Sequence, residues 1–95
     1  MINTEKELAI ITVIGRDQVG IVARVASALS EERVNIEDIT QSIMSGFFVM
    51  GMLVDLQGSP KTIKELRERL HTIGERIGVS VTIQHEDIFN AMYRV

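Results

Sequence analysis

A short segment bounded by glycines, GRDQVGI at residues 15–21, holds the residue types best suited to chemistry in this chain. An apolar run that predicts a strand precedes it, and an apolar periodicity that predicts a helix follows it. The free amide groups at the start of a helix attract an anion such as a carboxylate, while Asp17 could hold an ammonium group. The segment could therefore bind an amino acid. Alternatively, Asp17 merely caps the helix and Gly20 merely packs closely, and on spacing alone this structural interpretation has more weight.

The other conspicuous residues predict no catalytic, metal or cofactor site. His71 and His85 are isolated in the sequence, so we expect surface residues rather than metal ligands. The chain has no cysteine, which excludes a disulfide, a thiolate zinc site and a thiol nucleophile. Met50 and Met52 alternate along a predicted strand, as core or interface residues do.

Charged residues of both signs follow one another along the second predicted helix, at Arg67, Glu68, Arg69, Glu75 and Arg76. Mixed charges of this kind usually form the solvated face of a helix. We therefore expect these side chains to lie in solvent and not to form a phosphate cradle.

The apolar patterns predict six elements in the order βαββαβ. Strands are predicted over Leu8–Ile14, Asn35–Ser45, Phe47–Leu56 and Val79–His85, and helices over Val19–Arg33 and from Ser59-Pro60 to Ile77. Ile36 is out of step with its strand, which indicates a bulge, and Gly46 indicates a turn. The tail, residues 87–95, has an apolar side if it is helical and is expected to be a short helix or an interface segment.

This order predicts a ferredoxin-like α+β fold, with a four-stranded antiparallel sheet and two helices on one face. The first and third strands are apolar on both faces and are expected at the centre of the sheet. Because two helices cover only one face, the apolar residues of the other face need a second cover. A partner subunit, the tail, or both would provide it, so we expect a homo-oligomer and most simply a dimer.

Length and charge narrow the class of protein further. Ninety-five residues suffice for one compact core, so residues 1–95 are expected to form a single domain. A net charge of −3 gives no reason to expect nucleic-acid binding, which needs clustered Lys and Arg. No apolar stretch reaches the roughly twenty residues that cross a bilayer, and Met1–Glu7 is unlike a secretory signal. A cytoplasmic location is the default expectation.

The stretch GRDQVGIVARVASALSEERVNIEDITQ resembles the opening of an ACT domain, the regulatory ligand-binding module of many amino-acid metabolic proteins. The resemblance rests on Gly15, Asp17, Gly20 and Ile21, and on Asn35, Ile36, Asp38 and Ile39 at the start of the second strand. FFVMGMLVDL continues it, and the ending HEDIFNAMYRV is similar to short proteins that consist of little more than one ACT domain. The resemblance covers almost the whole chain.

The resemblance implies a small-molecule effector, usually an amino acid, held between the loop after the first strand and the start of the second, often at a subunit interface. It nominates Gly15, Asp17, Gln18, Val19, Gly20, Asn35 and Ile36 as ligand-binding residues. Val19 stands where many ACT domains have proline, which leaves the turn less rigid.

Three functions are consistent with these observations. The first is a regulatory, non-enzymatic module that binds an effector and modulates an enzyme or regulator. The second is an adaptor that docks another protein on the apolar sheet face without a small ligand. The third is a small acylphosphatase-like hydrolase, for which Arg16 and Asn35 are the candidates by type, although no nucleophile and base pair is recognisable.

Overall fold

The structure of the protein, a computed structural model, describes residues 5–92 apart from the side chains of Phe89 and Met92. Its elements are β1 Leu8–Arg16, α1 Ile21–Glu31, β2 Asn35–Met44, β3 Phe47–Asp55, α2 Ile63–Ile77, β4 Val79–His85 and α3 Glu86–Met92. The predicted βαββαβ order is confirmed, and part of the tail is a short helix. The apolar side predicted for the tail depends on Phe89, Met92 and Val95, whose side chains lie outside the described part of the chain.

The four strands form one antiparallel sheet in the order β2-β3-β1-β4. This order places β1 and β3 at the centre, as their apolar residues on both faces predict. Alternate residues of these two strands are buried beneath the helices: Ala9, Ile11 and Val13 on β1, and Phe48, Met50, Met52 and Val54 on β3. The fold is therefore ferredoxin-like α+β.

Each long helix buries one apolar stripe against this sheet. On α1 the buried residues are Ile21, Val25, Ala28 and Leu29, and on α2 they are Leu66, Leu70 and Gly74. Ile63 and Ile77 are half-buried and pack against the same core. On α2 the sequence periodicity predicts a stripe through Leu66 and Leu70, which is confirmed. On α1 it predicts Val22, Val25, Ala26 and Leu29, of which only Val25 and Leu29 are buried.

The first helix is shorter than its apolar periodicity predicts. It begins at Ile21 rather than Val19, because Gly20 has a left-handed backbone with φ of 93°. It ends at Glu31 rather than Arg33, because Arg33 also adopts a positive φ, of 59°. The Val34 amide then donates to the Leu29 carbonyl at 2.9 Å, which closes the end of the helix.

The prediction that α2 starts at Ser59-Pro60 is wrong. The helix begins after Thr62, whose side chain accepts from the Glu65 amide at 3.2 Å while the Glu65 carboxylate accepts from the Thr62 amide at 2.9 Å. This reciprocal capping box lowers the pKa of Glu65, chiefly through the hydrogen bond from the Thr62 backbone. Ser59 instead forms a local turn, in which its hydroxyl accepts from the Lys61 amide at 3.2 Å.

The hairpin between β2 and β3 agrees with the sequence. The register shifts between Ile36 and Asp38, which confirms the predicted bulge. Ser45 and Gly46 form the two-residue turn, with φ of 51° and 84°. Two positive φ values are the signature of the turn type that suits the twist of a hairpin.

The face of the sheet opposite α1 and α2 carries a second set of apolar residues. Paired residues of neighbouring strands point to the same side, so this face includes Ile10 and Ile14 on β1 and Phe47, Val49 and Leu53 on β3, together with Met44 on β2. Ile14, Met44 and Phe47 are about half exposed. Only α3, which lies against β1 and β4, adds a further helix near the sheet within residues 5–92. As predicted, the two long helices leave this face of the sheet uncovered.

Replacing Thr62 with alanine tests which residue starts α2. We expect Thr62→Ala to lower the free energy of unfolding by about 1 kcal/mol, because it removes one half of the capping box. The matched control is Ser59→Ala, which should cost less, since the Ser59 hydroxyl bonds only to a turn amide. Urea denaturation followed by circular dichroism measures both changes. An equal or larger loss in the Ser59 variant would contradict the assignment.

Candidate functional site

The loop between β1 and α1, residues 17–20, is held on three sides by hydrogen bonds. The Asp17 amide donates to the carbonyl of Gly46, in the hairpin turn, at 3.0 Å. The Gln18 side-chain amide donates to the carbonyl of Ile77, at the end of α2, at 2.6 Å. The Arg24 amide donates to the Gly20 carbonyl at 3.0 Å, which begins α1. The loop is thus attached to the hairpin turn and to both long helices.

The structure contradicts the interpretation in which Asp17 caps α1 and Gly20 only packs closely. The N-cap of α1 is Gly20, and among residues 5–92 no side chain caps the first turn of the helix. A Cβ atom at Gly20 would meet nothing within 4 Å, so glycine is required there by its φ of 93° and not by crowding. The amide groups at the start of α1 therefore remain available to a ligand.

Gly15 has a different role from Gly20. It pairs with Val79 across β1 and β4, and a Cβ atom on it would lie 2.5 Å from Cγ1 of Val79. No carbon atom can approach so closely without displacement. The close neighbour of Gly15 is consequently the protein's own edge strand, and its contribution to the loop is to let β1 and β4 meet.

The side chains of the loop are exposed. Val19 is fully exposed, and the side chains of Asp17 and Gln18 are exposed as well. The Asp17 carboxylate makes no hydrogen bond or ion pair within residues 5–92. Next to it, the guanidinium carbon of Arg16 lies 5.8 Å from the centre of the Phe47 ring. The loop presents a free carboxylate, unused helix amides and an apolar side chain to solvent.

Asn35 and Ile36 lie at the other end of the same sheet. Asn35 of β2 and Leu8 of β1 are both in register with Asp55, whereas Met44 of β2 and Arg16 of β1 are both in register with Phe47. The eight steps of about 3.3 Å along β1 separate these two ends by about 26 Å. The structure thus brings together Gly15, Asp17, Gln18, Val19 and Gly20, but not Asn35 or Ile36, within one protomer.

Asn35 belongs to a polar cluster with Lys6 and Glu37. The Asn35 side-chain amide and the Lys6 ammonium both donate to the Glu37 carboxylate. These bonds, that of Lys6 first, hold the pKa of Glu37 below its ordinary value, and Glu37 in turn raises the pKa of Lys6. Beside this cluster is an open groove of about 490 Å³, lined by Ala26, Ser30, Arg33, Val34, Asn35 and Ile36. The side chain of Asn35 is oriented by a charged neighbour.

Two arginines of α2 do not follow the prediction of a wholly solvated charged face. Arg69 turns toward α1, where it forms ion pairs with Glu31 and, at 2.9 Å, with Glu32. Arg67 donates from Nη2 to the carbonyl of Ile83 on β4 at 3.2 Å. The partners of Arg69 are 37 and 38 positions away in the sequence, so no local pattern could have revealed these contacts.

The histidines contact nearby carboxylates loosely, and Nδ1 of His85 also accepts a hydrogen bond from the Asp87 amide at 3.2 Å. Nε2 of His71 lies 3.7 Å from Glu75, and Nδ1 of His85 lies 3.7 Å from Asp87. Within the described residues, no group of three or more His, Asp or Glu side chains could hold a metal ion. In the same part of the chain, no helix is long and apolar enough to cross a membrane.

The fold and the loop define the chain as a ferredoxin-like domain with an exposed glycine loop between its first strand and first helix. The profile of the ACT domain matches residues 7–84, and the chain belongs to the ACT domain family, a regulatory family. The UPF0237 protein of Methanopyrus kandleri is 49% identical over 92% of this chain and 97% of its own length. An ACT domain protein from Streptococcus pneumoniae has a TM-score of 0.80 and 36% identity, over 94% of this chain and its whole length. Both are short proteins with a single ACT domain.

A longer protein with a similar structure is named as regulatory. The regulatory subunit of aspartate kinase from Thermus thermophilus has a TM-score of 0.65 and 26% identity. The match covers 86% of this chain but only 53% of that subunit. The same domain architecture therefore occurs there as part of a larger regulatory protein.

Substitutions of Gly15, at the end of β1, and of Gly20, in the loop, should destabilise the protein for different reasons. Gly15→Ala should lower the free energy of unfolding by about 1–3 kcal/mol because its Cβ would overlap Val79. Gly20→Ala should cost about 1 kcal/mol because of its positive φ.

A double-mutant cycle separates these causes. Adding Val79→Ala should recover part of the loss in the Gly15 variant and none of the loss in the Gly20 variant. Chemical denaturation of the parent and the five variants, including the Val79→Ala single variant, measures the coupling. Equal effects of the Val79 substitution in both backgrounds would refute the proposed contact.

Proposed function

We propose that the protein is a regulatory homodimer of one ACT domain per chain, residues 1–95, that binds an amino-acid effector between its two subunits. Bound effector would alter how the dimer meets an enzyme or regulator of amino-acid metabolism in the cytoplasm, and the protein itself would catalyse nothing. The observation that carries the proposal is the separation of Asn35 and Ile36 from the Asp17–Gly20 loop, because a second copy can supply the missing half.

The exposed edge of β2 is the surface on which a second copy would add. Most of its residues are exposed, and the segment from Ile39 to Met44 contains no charged residue and no proline. A long uncharged edge strand is a template for pairing with another strand. The opposite edge differs, because the Arg67 guanidinium donates a hydrogen bond to the Ile83 carbonyl of β4.

A two-fold axis through the middle of β2 would join the two halves of the site. Antiparallel pairing of two identical strands over Asn35–Met44 aligns the partner's Asn35 with Met44. Met44 immediately precedes the hairpin turn, and the Gly46 carbonyl of that turn accepts from the Asp17 amide. The partner's Asn35 would thus arrive at the loop end of the sheet. A two-fold dimer contains two such sites.

The chemistry of the joined site matches an amino acid. The uncapped amides of α1 suit the α-carboxylate, and the free Asp17 carboxylate suits the ammonium group. The Asn35 side chain can both donate and accept hydrogen bonds. The aspartate kinase regulatory subunit and the other ACT proteins support an effector from amino-acid metabolism.

The geometry does not favour the acylphosphatase-like alternative. That activity would need Arg16 and Asn35 around one anion, yet Arg16 is in register with Phe47 and Asn35 with Asp55 at the far end of β3. Within one protomer these side chains cannot meet, and in the proposed dimer, where the partner's Asn35 reaches the loop end, the sequence offers no recognisable nucleophile and base pair beside them. The non-enzymatic function is therefore the better supported one.

Subunit mixing tests the shared site. We expect calorimetry of the parent protein against the twenty amino acids to identify an effector, and Asp17→Asn and Asn35→Ala each to weaken its binding about tenfold or more. In a mixed dimer one site receives both altered residues and the other receives neither. An equimolar mixture of the two variants, unfolded and refolded together, should therefore regain tight sites.

The double variant Asp17→Asn/Asn35→Ala is the control, because mixing it with itself restores nothing. If calorimetry shows that the folded parent protein binds none of the twenty amino acids, the proposal of an amino-acid effector is rejected. Binding by the parent without recovery in the mixture would overturn the shared site.

The adaptor function remains a second candidate because Ile14, Met44 and Phe47 are exposed on the helix-free face. Scattered exposed apolar residues are normal, but several on one face indicate a contact surface. Ile14→Lys should abolish partner modulation if this face docks the partner, while leaving effector binding unchanged. Modulation of the regulated enzyme, together with calorimetry, measures the two effects separately. Retained modulation with Ile14→Lys, alongside loss with Asp17→Asn, would reject the adaptor.

A further inference from the structure

A groove between α1 and α2 lies on the helical side of the molecule, apart from the loop and from the sheet face. It encloses about 370 Å³ and is lined by Ala23, Arg24, Ser27, Ala28, Glu31, Arg69, Ile73 and Arg76. Volumes of this size lie at the lower end of the range for small-molecule sites. Three of its eight lining residues are arginines, whereas the whole chain has a net charge of −3. The groove is therefore a local concentration of positive charge.

The charges at the two ends of the groove are not balanced in the same way. At one end Arg69 forms ion pairs with both Glu31 and Glu32, so these two carboxylates do not pair with the arginines at the other end. At the other end Arg24 and Arg76 form no ion pair with any residue of the described chain. Two guanidinium groups without a carboxylate partner, next to apolar side chains, favour the binding of an anion.

The antiparallel course of the two helices brings these arginines to the same end of the groove. Arg24 lies in the first turn of α1, and its amide donates to the Gly20 carbonyl. Arg76 lies in the last turn of α2, next to Ile77, whose carbonyl accepts from Gln18 of the loop that begins α1. Because the loop touches both helix ends, Arg24 and Arg76 line the groove at the end nearest the loop.

The rest of the groove is suited to a short apolar body. Ala23 and Ala28 leave space between the helices because their side chains end at Cβ, and Ile73 is half-buried along one side. The Arg69 guanidinium is fixed by its two carboxylates, and its Nε is buried without an acceptor in the described protein. Two carboxylates against one guanidinium leave the far end of the groove with an excess of negative charge, while the near end carries the two positive charges of Arg24 and Arg76.

We propose that this groove is a second ligand site, which binds a small anion bearing a carboxylate or phosphate group on a short apolar body. Arg24 and Arg76 hold the anionic group by charge-assisted hydrogen bonds, and Ala23, Ala28 and Ile73 contact the body. The site is distinct from the amino-acid site in its side chains, because it uses none of the Asp17–Gly20 loop and none of β2, although both sites adjoin the first turn of α1.

Titration of the full-length protein with inorganic phosphate and, separately, with succinate tests the site by two-dimensional amide NMR. The test variant is Arg24→Gln/Arg76→Gln. Its matched control is Lys61→Gln/Lys64→Gln, which removes the same charge around the start of α2. Both pairs of side chains are on the surface, and the amide spectra report whether each variant is folded.

We expect at least one probe to bind with a dissociation constant below about 10 mM. Its shifts should lie on residues 23–31 and 69–76, and the arginine variant should bind at least fivefold more weakly than the lysine control. Stronger binding of phosphate or of succinate assigns the anionic group. Absence of saturable binding by both probes, shifts centred on residues 17–20, or a difference below fivefold would overturn the proposal. These results leave the amino-acid site untouched, so the two proposals fail separately.

Discussion

The burial of β1 between two other strands is the constraint on which the rest of the structure depends. Ala9, Ile11 and Val13 have no exposed surface, and the same strand pairs with both β3 and β4 along most of its length. At about 25 cal/mol per Å² of buried apolar area, such residues are the main source of stability in a small domain. Because β1 cannot shift without exposing them, the loop that follows Arg16 is fixed at one end of the sheet. Gly15 belongs to the same constraint, since it allows β4 to approach.

The position of β1 also determines where the second half of the proposed amino-acid site must lie. β3 is antiparallel to both β1 and β2, so β1 and β2 run in the same direction. Their starts, Leu8 and Asn35, therefore share one end of the sheet, and the loop after β1 lies at the other end. Any ligand site that uses both the loop and the start of β2 needs two protomers. The topology thus connects ligand binding with assembly before any particular ligand is considered.

The fold was predictable from the sequence because its signals are periodic and local. Strand alternation around Met50 and Met52 and the helix stripe through Leu66 and Leu70 each depend on near neighbours, and both were confirmed. The start of α2 was predicted wrongly, although the signal TIKE at residues 62–65 was present, because Ser59-Pro60 also fits a helix start. The ion pairs of Arg69 depend on the packing of α1 against α2, which no local pattern encodes. The separation of Asn35 from the loop likewise depends on strand order and not on residue type.

The two edges of the sheet differ in a way that limits how copies could assemble. On β4 the Arg67 side chain fills one outward carbonyl, whereas β2 offers an uncharged row from Ile39 to Met44. A molecule with two open edges can add copies without limit, and proteins usually block such edges. Two-fold pairing through β2 uses the same surface on both copies, so that edge is closed once two copies have paired. In the proposed dimer, the pairing that brings the partner's Asn35 to the Asp17 loop also covers the uncharged β2 edge of both copies.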